Sequence, residues 1–190
     1  MNLIYSALAG GGVSWFELAA GICACLAVIF LTLPVHEFAH AFAADKLGDR
    51  TARNQGRLTL NPLAHIDYVG ALLILLFGFG WAKPVPVNMR NFRNPRVSFA
   101  ITAAAGPASN LIVAFIALWL RTAMALLPLP YTAVLFLVLF FHSLAMINIT
   151  LAVFNLIPIP PLDGSRILGL FLPESRRKRN SWRIQISLRL

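Results

Sequence analysis

The feature that most constrains this chain is an apolar run from Phe16 to Ala44 that carries His36, Glu37 and His40 in its last third. A helix rises about 1.5 Å per residue, so the run is long enough to cross a bilayer core of about 30 Å with some tilt. Ionisable side chains are costly within a bilayer and usually have a function there. The run therefore predicts a spanning helix with a chemical site near one end.

The spacing of His36, Glu37 and His40 is the H-E-x-x-H pattern of zinc sites. Residues four apart lie on one helix face, so both imidazoles can bind one metal ion while Glu37 lies beside the open coordination position. Zinc lowers the pKa of a bound water, and the carboxylate can then take its proton as a general base. The alternative is that both histidines are buried helix residues paired with neighbours, since the pattern also occurs by chance in soluble helices.

The composition indicates a multi-pass membrane protein. Of its 190 residues, 58% are hydrophobic and only 12% are charged, and the mean hydropathy of +0.74 lies far outside the range of soluble domains. The net charge of +9 is compatible with nucleic-acid binding, but the basic residues are spread over loops and a tail without a recognisable module. We therefore expect the lipid bilayer, and no nucleic acid, as a partner.

Two further segments, Val97 to Leu120 and Tyr131 to Ile157, are apolar and long enough to span a bilayer. Tyr68 to Trp81 is apolar but short, and it leads into a proline-containing stretch that ends at Asn88, where extended chain is favoured. We interpret that region as a re-entrant or strand-like element. The predicted fold is an all-α polytopic membrane protein with about three full transmembrane helices plus this short element.

The distribution of Lys and Arg predicts the orientation. If Tyr68 to Trp81 does not cross, fifteen of the sixteen basic residues fall on one side and only Arg121 falls on the other. That side is therefore predicted to be cytoplasmic. We expect the membrane to be a prokaryotic cell membrane. His40 lies five residues before Asp45, or about 7 Å along a helix axis, which places the site near the cytoplasmic face.

A zinc hydrolase commonly holds its metal with three protein ligands and leaves a fourth position for water. Asp163 is the strongest candidate for the third ligand, because it follows the last span and a proline-rich break at the matching depth. Its alternative role is that of a loop or helix-capping residue before Gly164. Glu174 and Asp67 are weaker candidates in more solvated settings.

Two elements of the sequence together resemble the site-2 protease family of intramembrane zinc metalloproteases. His36 to His40 matches the family's H-E-x-x-H, and Asn155 to Gly164, N-L-I-P-I-P-P-L-D-G, is similar to its N-x-x-P-x-P-x-L-D-G element. Gly106 to Asn110 is similar to the G-P-x-x-N feature of the family's central span. The resemblance covers most of Phe16 to Leu172, and the two main motifs are far more specific together than either is alone.

The resemblance implies a site-2 protease-like core that uses Zn²⁺ to cleave transmembrane segments of other proteins. His36, His40 and Asp163 would be zinc ligands and Glu37 the catalytic acid/base, while Asn155, and by the weaker match Asn110, would bind substrate. We assign residues 1–172 to the protease core, a minimal form without PDZ or CBS domains. Residues 173–190 are assigned to a basic cytoplasmic tail, truncated or aberrant in comparison with the apolar helix usual in the family.

Two other functions are compatible with the same residues. The chain could be a catalytically inactive zinc-binding membrane adaptor, although an intact Glu37 argues against this. It could also be a metal transporter, but transport would need acidic or His ligands continuing across the bilayer, and apart from His142 and Glu17 the outer halves of the spans carry none. His65 and His142 could each have a chemical or a purely structural role, and the sequence does not fix the substrate or the oligomeric state.

Overall fold

The computed structural model describes residues 14–77 and 80–171, and within these ranges all regular structure is helical. Three helices are long and apolar enough to span a membrane, as the sequence predicts. The helices are α1 Trp15–Lys46, α2 Thr51–Asn54, α3 Tyr68–Phe77, α4 Pro95–Ala125, α5 Tyr131–Leu156 and α6 Asp163–Leu168. Short 3₁₀ turns occur at Pro62–Ala64 and Met89–Asn91. The predicted tail, residues 173–190, lies outside the described residues.

Helix α1 contains a π-helical segment, Val28–Thr32, immediately before the part that carries the histidines. The N–H of Leu33 donates to the carbonyl of Val28, five residues back. The next residue, Pro34, has no N–H and cannot continue the α-helical ladder, which gives a local reason for the wider turn. A π segment inserts an extra residue into a turn and is often found at functional sites. It turns the face that carries His36 relative to the first half of α1.

Small residues allow the three long helices to approach closely. Helix α4 packs against α5 and against the second half of α1, while the first half of α1 packs against α5. The buried positions of α4 are mostly Ala and Gly, with Pro107 inside the helix. In a bilayer, where lipid is as apolar as a leucine side chain, such close packing is a main source of helix association. The arrangement brings α4 alongside the histidine-bearing part of α1.

The chain turns back on itself after α3. An alanine Cβ at Gly70 would lie 2.0 Å from the backbone oxygen of Trp81, and one at Gly80 would lie 2.1 Å from the backbone oxygen of Gly70. Only glycine therefore fits where the two backbones meet. This contact brings the end of the short apolar region back to its beginning.

The segment from Ala82 to Asn88 is extended but forms no strand within the described residues. Pro84 and Pro86 have no N–H to donate, which disfavours pairing in a sheet. The remaining bonds tie the segment to three other parts of the chain: Lys83 N–H donates to His65 O at 2.8 Å, Val85 N–H to Glu37 Oε2 at 3.0 Å and Asn88 N–H to Asp49 Oδ2 at 2.6 Å. The strand-like element of the sequence prediction is therefore an unpaired extended segment.

Asp49 joins the end of α1 to the loop that precedes α4. Its side chain is fully buried and accepts hydrogen bonds from the N–H and hydroxyl of Thr51, the N–H of Asn88 and the side-chain amide of Asn91. Burial alone would raise the pKa of Asp49, but these hydrogen bonds outweigh it and hold the pKa below its usual value. The ionised carboxylate thus fastens Asn88 to the end of α1.

Candidate metal centre

His36, His40 and Asp163 converge on one point although they come from two helices far apart in sequence. His36 Nε2 and His40 Nε2 are 3.0 Å apart, and Asp163 Oδ2 lies 3.5 Å from His36 Nε2 and 3.2 Å from His40 Nε2. All three residues are buried. Within the described ranges, they form the group of His, Cys, Asp or Glu residues that could hold a metal ion.

Two of the three ligands, His40 and Asp163, are oriented by a contact made by the atom that does not face the site. His40 Nδ1 lies 2.7 Å from the carbonyl oxygen of Thr102, so an Nδ1–H donor leaves the Nε2 lone pair free for a metal. Asp163 Oδ1 accepts from Arg166 Nη1 at 3.4 Å, which leaves Oδ2 turned towards the histidines. The Arg166 guanidinium lies over the ring of Phe99, 5.5 Å from its centroid. For His36, Nδ1 is buried without a hydrogen-bond partner in the described part of the chain.

The spacing of these atoms fits a zinc ion. Zinc binds histidine nitrogen and carboxylate oxygen at about 2.0–2.2 Å, and tetrahedral geometry then separates neighbouring ligand atoms by about 3.3–3.5 Å. The observed separation of 3.5 Å lies in that range, and those of 3.0 and 3.2 Å lie up to about 0.3 Å below it. Burial would raise the pKa of Asp163, but the two adjacent imidazoles hold it well below its usual range, so the carboxylate is anionic. The donor set therefore has both the spacing and the charge for a divalent metal.

Two glycines allow the ligands to meet. An alanine Cβ at Gly106 of α4 would lie 2.3 Å from His40 Nε2 and 2.6 Å from His36 Cε1. An alanine Cβ at Gly164 would lie 2.1 Å from the backbone oxygen of Leu156. The first contact shows that the imidazoles occupy the space above Gly106. The second shows that α6 begins directly against the end of α5, which sets the position of Asp163.

Glu37 is buried beside the histidines but is not part of the converging group. Its Oε2 accepts a hydrogen bond of 3.0 Å from the N–H of Val85 in the extended segment. The other carboxylate oxygen, Oε1, takes no part in this bond. Glu37 is therefore oriented by a backbone group that comes from a distant part of the chain.

The structure does not join Asn155 or Asn110 to the metal centre through any hydrogen bond within the described residues. Asn155 is half-buried, and its side-chain amide donates to Leu151 O at 3.0 Å in its own helix. Asn110 is fully buried in α4, and both of its amide atoms have no partner in the described part of the chain. Their assignment to substrate binding stays a prediction.

The two remaining histidines differ in their surroundings. His65 is fully buried, with Nε2 2.8 Å from Thr59 O, and its carbonyl accepts from Lys83 N–H. His142 lies exposed on α5. His65 thus helps to hold the extended segment, while His142 faces away from the helix contacts.

Sequence reasoning missed the residues that orient the ligands. Thr102 acts through its backbone carbonyl, which no sequence pattern reveals. In the sequence, Arg166 is only one of the basic residues on the predicted cytoplasmic side, although its position three residues after Asp163 on a helix is a usable signal for contact between the two. Val85 acts through its N–H, and only the two flanking prolines set it apart in the sequence.

Comparison with known proteins supports the same chemistry. A family model described as peptidase family M50 matches residues 130–189. YwhC of Bacillus subtilis, named as a zinc metalloprotease, is 45% identical over 153 residues, covering 80% of this chain and 70% of YwhC. The Rip2 proteins of Mycolicibacterium smegmatis and Mycobacterium tuberculosis, also named as zinc metalloproteases, are 35% and 34% identical, and this chain spans 57% and 66% of their lengths. No solved structure matches the chain significantly.

The buried donor set, the three apolar helices and these relatives define a zinc metalloprotease of the membrane. The chain belongs to peptidase family M50, the site-2 protease family. The family and the zinc cofactor predicted from the sequence are both confirmed.

Proposed function

We propose that this chain is a zinc-dependent intramembrane endopeptidase that cleaves transmembrane segments of other membrane proteins. The observation that carries the proposal is the convergence of His36 and His40, in the last third of the spanning helix α1, with Asp163, which follows the spanning helix α5. A metal site of this kind on a water-exposed protein surface would act on peptides in solution. One enclosed by spanning helices can act on peptides that reach it from the bilayer.

His36, His40 and Asp163 would hold the ion through the three atoms that converge. When bound, zinc supplies Lewis-acid polarisation of the scissile carbonyl and lowers the pKa of water at the site. The carbonyl of Thr102 holds the His40 ring in the tautomer that exposes Nε2. Arg166 holds Asp163 with Oδ2 directed inward.

Glu37 is the proposed general base and acid. Its Oε2 is bound by Val85 N–H, so Oε1 would take the proton from the attacking water and return it to the leaving amine. The backbone bond from Val85 keeps the carboxylate in one orientation through both transfers. The chain's own nucleophilic side chains are not used, and no covalent acyl-enzyme forms.

The proposed location is a prokaryotic cell membrane, with the active site near the cytoplasmic face. His40 lies six residues before the end of α1 at Lys46, which is about 9 Å along the helix axis. The loops next to this end of α1 are rich in Lys and Arg, and the relatives named above are bacterial. α3 and the segment that returns from it would form a re-entrant element on the same side. Water could then reach the metal from the cytoplasm.

A substrate helix would have to unwind near the metal, because helical hydrogen bonds shield its carbonyl groups. Asn155 is the proposed contact for the unwound backbone, since it is half-buried near the end of α5. Asn110 is fully buried, so it could meet substrate only after a neighbouring helix moves away. Pairing of substrate with Lys83 to Asn88 is restricted, because most N–H groups of that segment already donate elsewhere.

Cleavage in reconstituted membranes tests the proposal. The purified chain would be placed in liposomes with single-span test substrates that carry a different tag on each side, and the products would be identified by mass. We expect cuts within the apolar segment that stop with a zinc chelator and resume with added zinc. Cuts confined to the soluble flanks would contradict the intramembrane assignment, and bound zinc without any cleavage would favour an adaptor.

A further inference from the structure

We propose that Arg57 is a positioning residue for the catalytic carboxylate: it clamps the extended segment so that the N–H of Val85 stays on Glu37. The inference rests on the proposed function, since it takes Glu37 as the general base. The side chain of Arg57 makes its hydrogen bonds to backbone carbonyls, and within the described residues it makes none to Glu37 or to the three candidate metal ligands.

The Arg57 guanidinium donates to three backbone carbonyls from two separate parts of the chain. Nη2 donates to Lys83 O at 2.6 Å and to Pro84 O at 3.2 Å, while Nη1 donates to Ala64 O. Lys83 and Pro84 immediately precede Val85. The guanidinium thus fixes the two peptide groups that determine where the Val85 N–H points.

The extended segment depends on such a clamp because it has no sheet to hold it. Pro84 and Pro86 cannot donate, and within the described residues the segment forms no strand. At its far end, Asp49 holds the N–H of Asn88. Arg57 and Asp49 therefore bracket Val85, one on each side.

The backbone of Arg57 is itself held in a tight turn. Its N–H donates to the carbonyl of Ala52 at 2.8 Å, and the preceding Gly56 adopts a φ of +68°. Ala52 is fully buried. The backbone position of Arg57 is therefore fixed, and its planar guanidinium can hold backbone carbonyls in a defined geometry.

Loss of the clamp should reduce the rate of chemistry more than the binding of substrate. A displacement of about 1 Å in a catalytic group can cost about 100-fold in rate. We expect Arg57→Gln to lower kcat by about 10- to 100-fold while KM changes less than about threefold. Lysine keeps the charge but lacks the planar guanidinium with its several N–H donors, so Arg57→Lys should recover only part of kcat.

Arg53→Gln is the matched control. Arg53 lies in α2, four residues before Arg57, and its substitution removes the same charge, but it is exposed and pairs with Asp45 at 2.6 Å rather than with the extended segment. Its kcat should stay within about twofold of wild type. A second variant, Val85→Pro, removes the N–H that binds Glu37 while Arg57 stays in place. Combining Val85→Pro with Arg57→Gln should cost no more than the larger single effect, since both break one link.

The Val85 amide gives a readout that does not depend on cleavage. In the zinc-loaded chain labelled with ¹⁵N-valine, the Val85 resonance is identified by its absence in Val85→Pro. We expect it to shift in Glu37→Gln and in Arg57→Gln, and to stay in place in Arg53→Gln. An unmoved Val85 resonance in Arg57→Gln, or normal kcat in that variant, would overturn the positioning role. Absence of cleavage by the wild type would overturn the proposed function instead, and the amide shift would still decide the role of Arg57.

Discussion

Replacing Gly106 by alanine adds one methyl group where α4 meets the two histidines. The new Cβ would lie 2.3 Å from His40 Nε2, 2.5 Å from His40 Cε1 and 2.6 Å from His36 Cε1, whereas ordinary contact begins at 3.4 Å. The His40 ring would have to retreat by about 1 Å to relieve this. Metal sites tolerate deviations of only about 0.2 Å in ligand distance. The variant should therefore lose the His40–metal bond in its present geometry.

We expect the zinc affinity of Gly106→Ala to fall by at least about 100-fold, which corresponds to about 2.7 kcal/mol of binding free energy. Loss of a group that only orients a metal ligand weakens metal binding by about 10- to 100-fold, and displacing a ligand itself should cost at least the upper value. The helix itself should not be weakened, because alanine is favoured over glycine by about 1 kcal/mol in a helix interior. Loss of zinc with retained helicity is thus the expected signature. It separates damage to the site from general unfolding.

The assay is competition for zinc with a chromophoric chelator, alongside circular dichroism of the same detergent-solubilised samples. Ala108→Val is the control, since it also adds bulk to α4 but at an exposed position two residues away. It should bind zinc as the wild type does. Wild-type zinc affinity in Gly106→Ala would refute the reasoning, because it would mean that the imidazoles do not occupy the space above Gly106.

Three further outcomes are expected. Asp163→Asn should weaken zinc binding by about 10- to 100-fold in the same chelator assay, because a neutral amide replaces the anionic donor; unchanged affinity would argue against Asp163 as a ligand. The pKa of Asp49 is lower in the folded state than its ordinary value of 3.8. The ionised carboxylate therefore stabilises the folded chain at pH values above 3.8, and this stabilisation disappears as the pH falls towards the pKa of the folded state. Asp49→Asn should therefore lower the melting temperature at pH 7 and flatten its decline in acid, and an unchanged melting profile would contradict this. Gly70→Ala should destabilise the chain by about 1–3 kcal/mol, because the new Cβ would clash with the Trp81 backbone. Gly56→Ala should cost about 1 kcal/mol, because a Cβ there would have no atom within 4 Å but the residue has a φ of +68°. Equal melting temperatures for Gly70→Ala and wild type would refute the close approach of the two backbones.

The spanning helices were predictable because hydropathy and length decide them, but their ends were not. The first span was expected to end at Ala44, whereas α1 continues to Lys46 and stops before Gly48, whose φ of +112° suits glycine alone. The central span was expected over Val97 to Leu120, and α4 runs from Pro95 to Ala125. Polar residues extend these helices beyond their apolar parts, because backbone hydrogen bonding continues after the hydrophobic run has ended.

The candidate ligands could be chosen from the sequence because histidines four apart and an acid after a proline break are local patterns. What holds them in place depends on tertiary structure. The Thr102 carbonyl, the Val85 N–H and the space above Gly106 are backbone features that the identity of the residue does not reveal. Arg57 looks like one of many cytoplasmic charges until its three carbonyl partners are known.

In the proposed mechanism, a zinc ion held by His36, His40 and Asp163 acts with Glu37 to cut peptides within the membrane. The most direct test compares wild type with Glu37→Gln for zinc content and for cleavage of transmembrane substrates in the same liposomes. We expect about one zinc per chain in both proteins and cleavage by the wild type alone. Normal turnover by Glu37→Gln would contradict it, because the general base would then have to be another group.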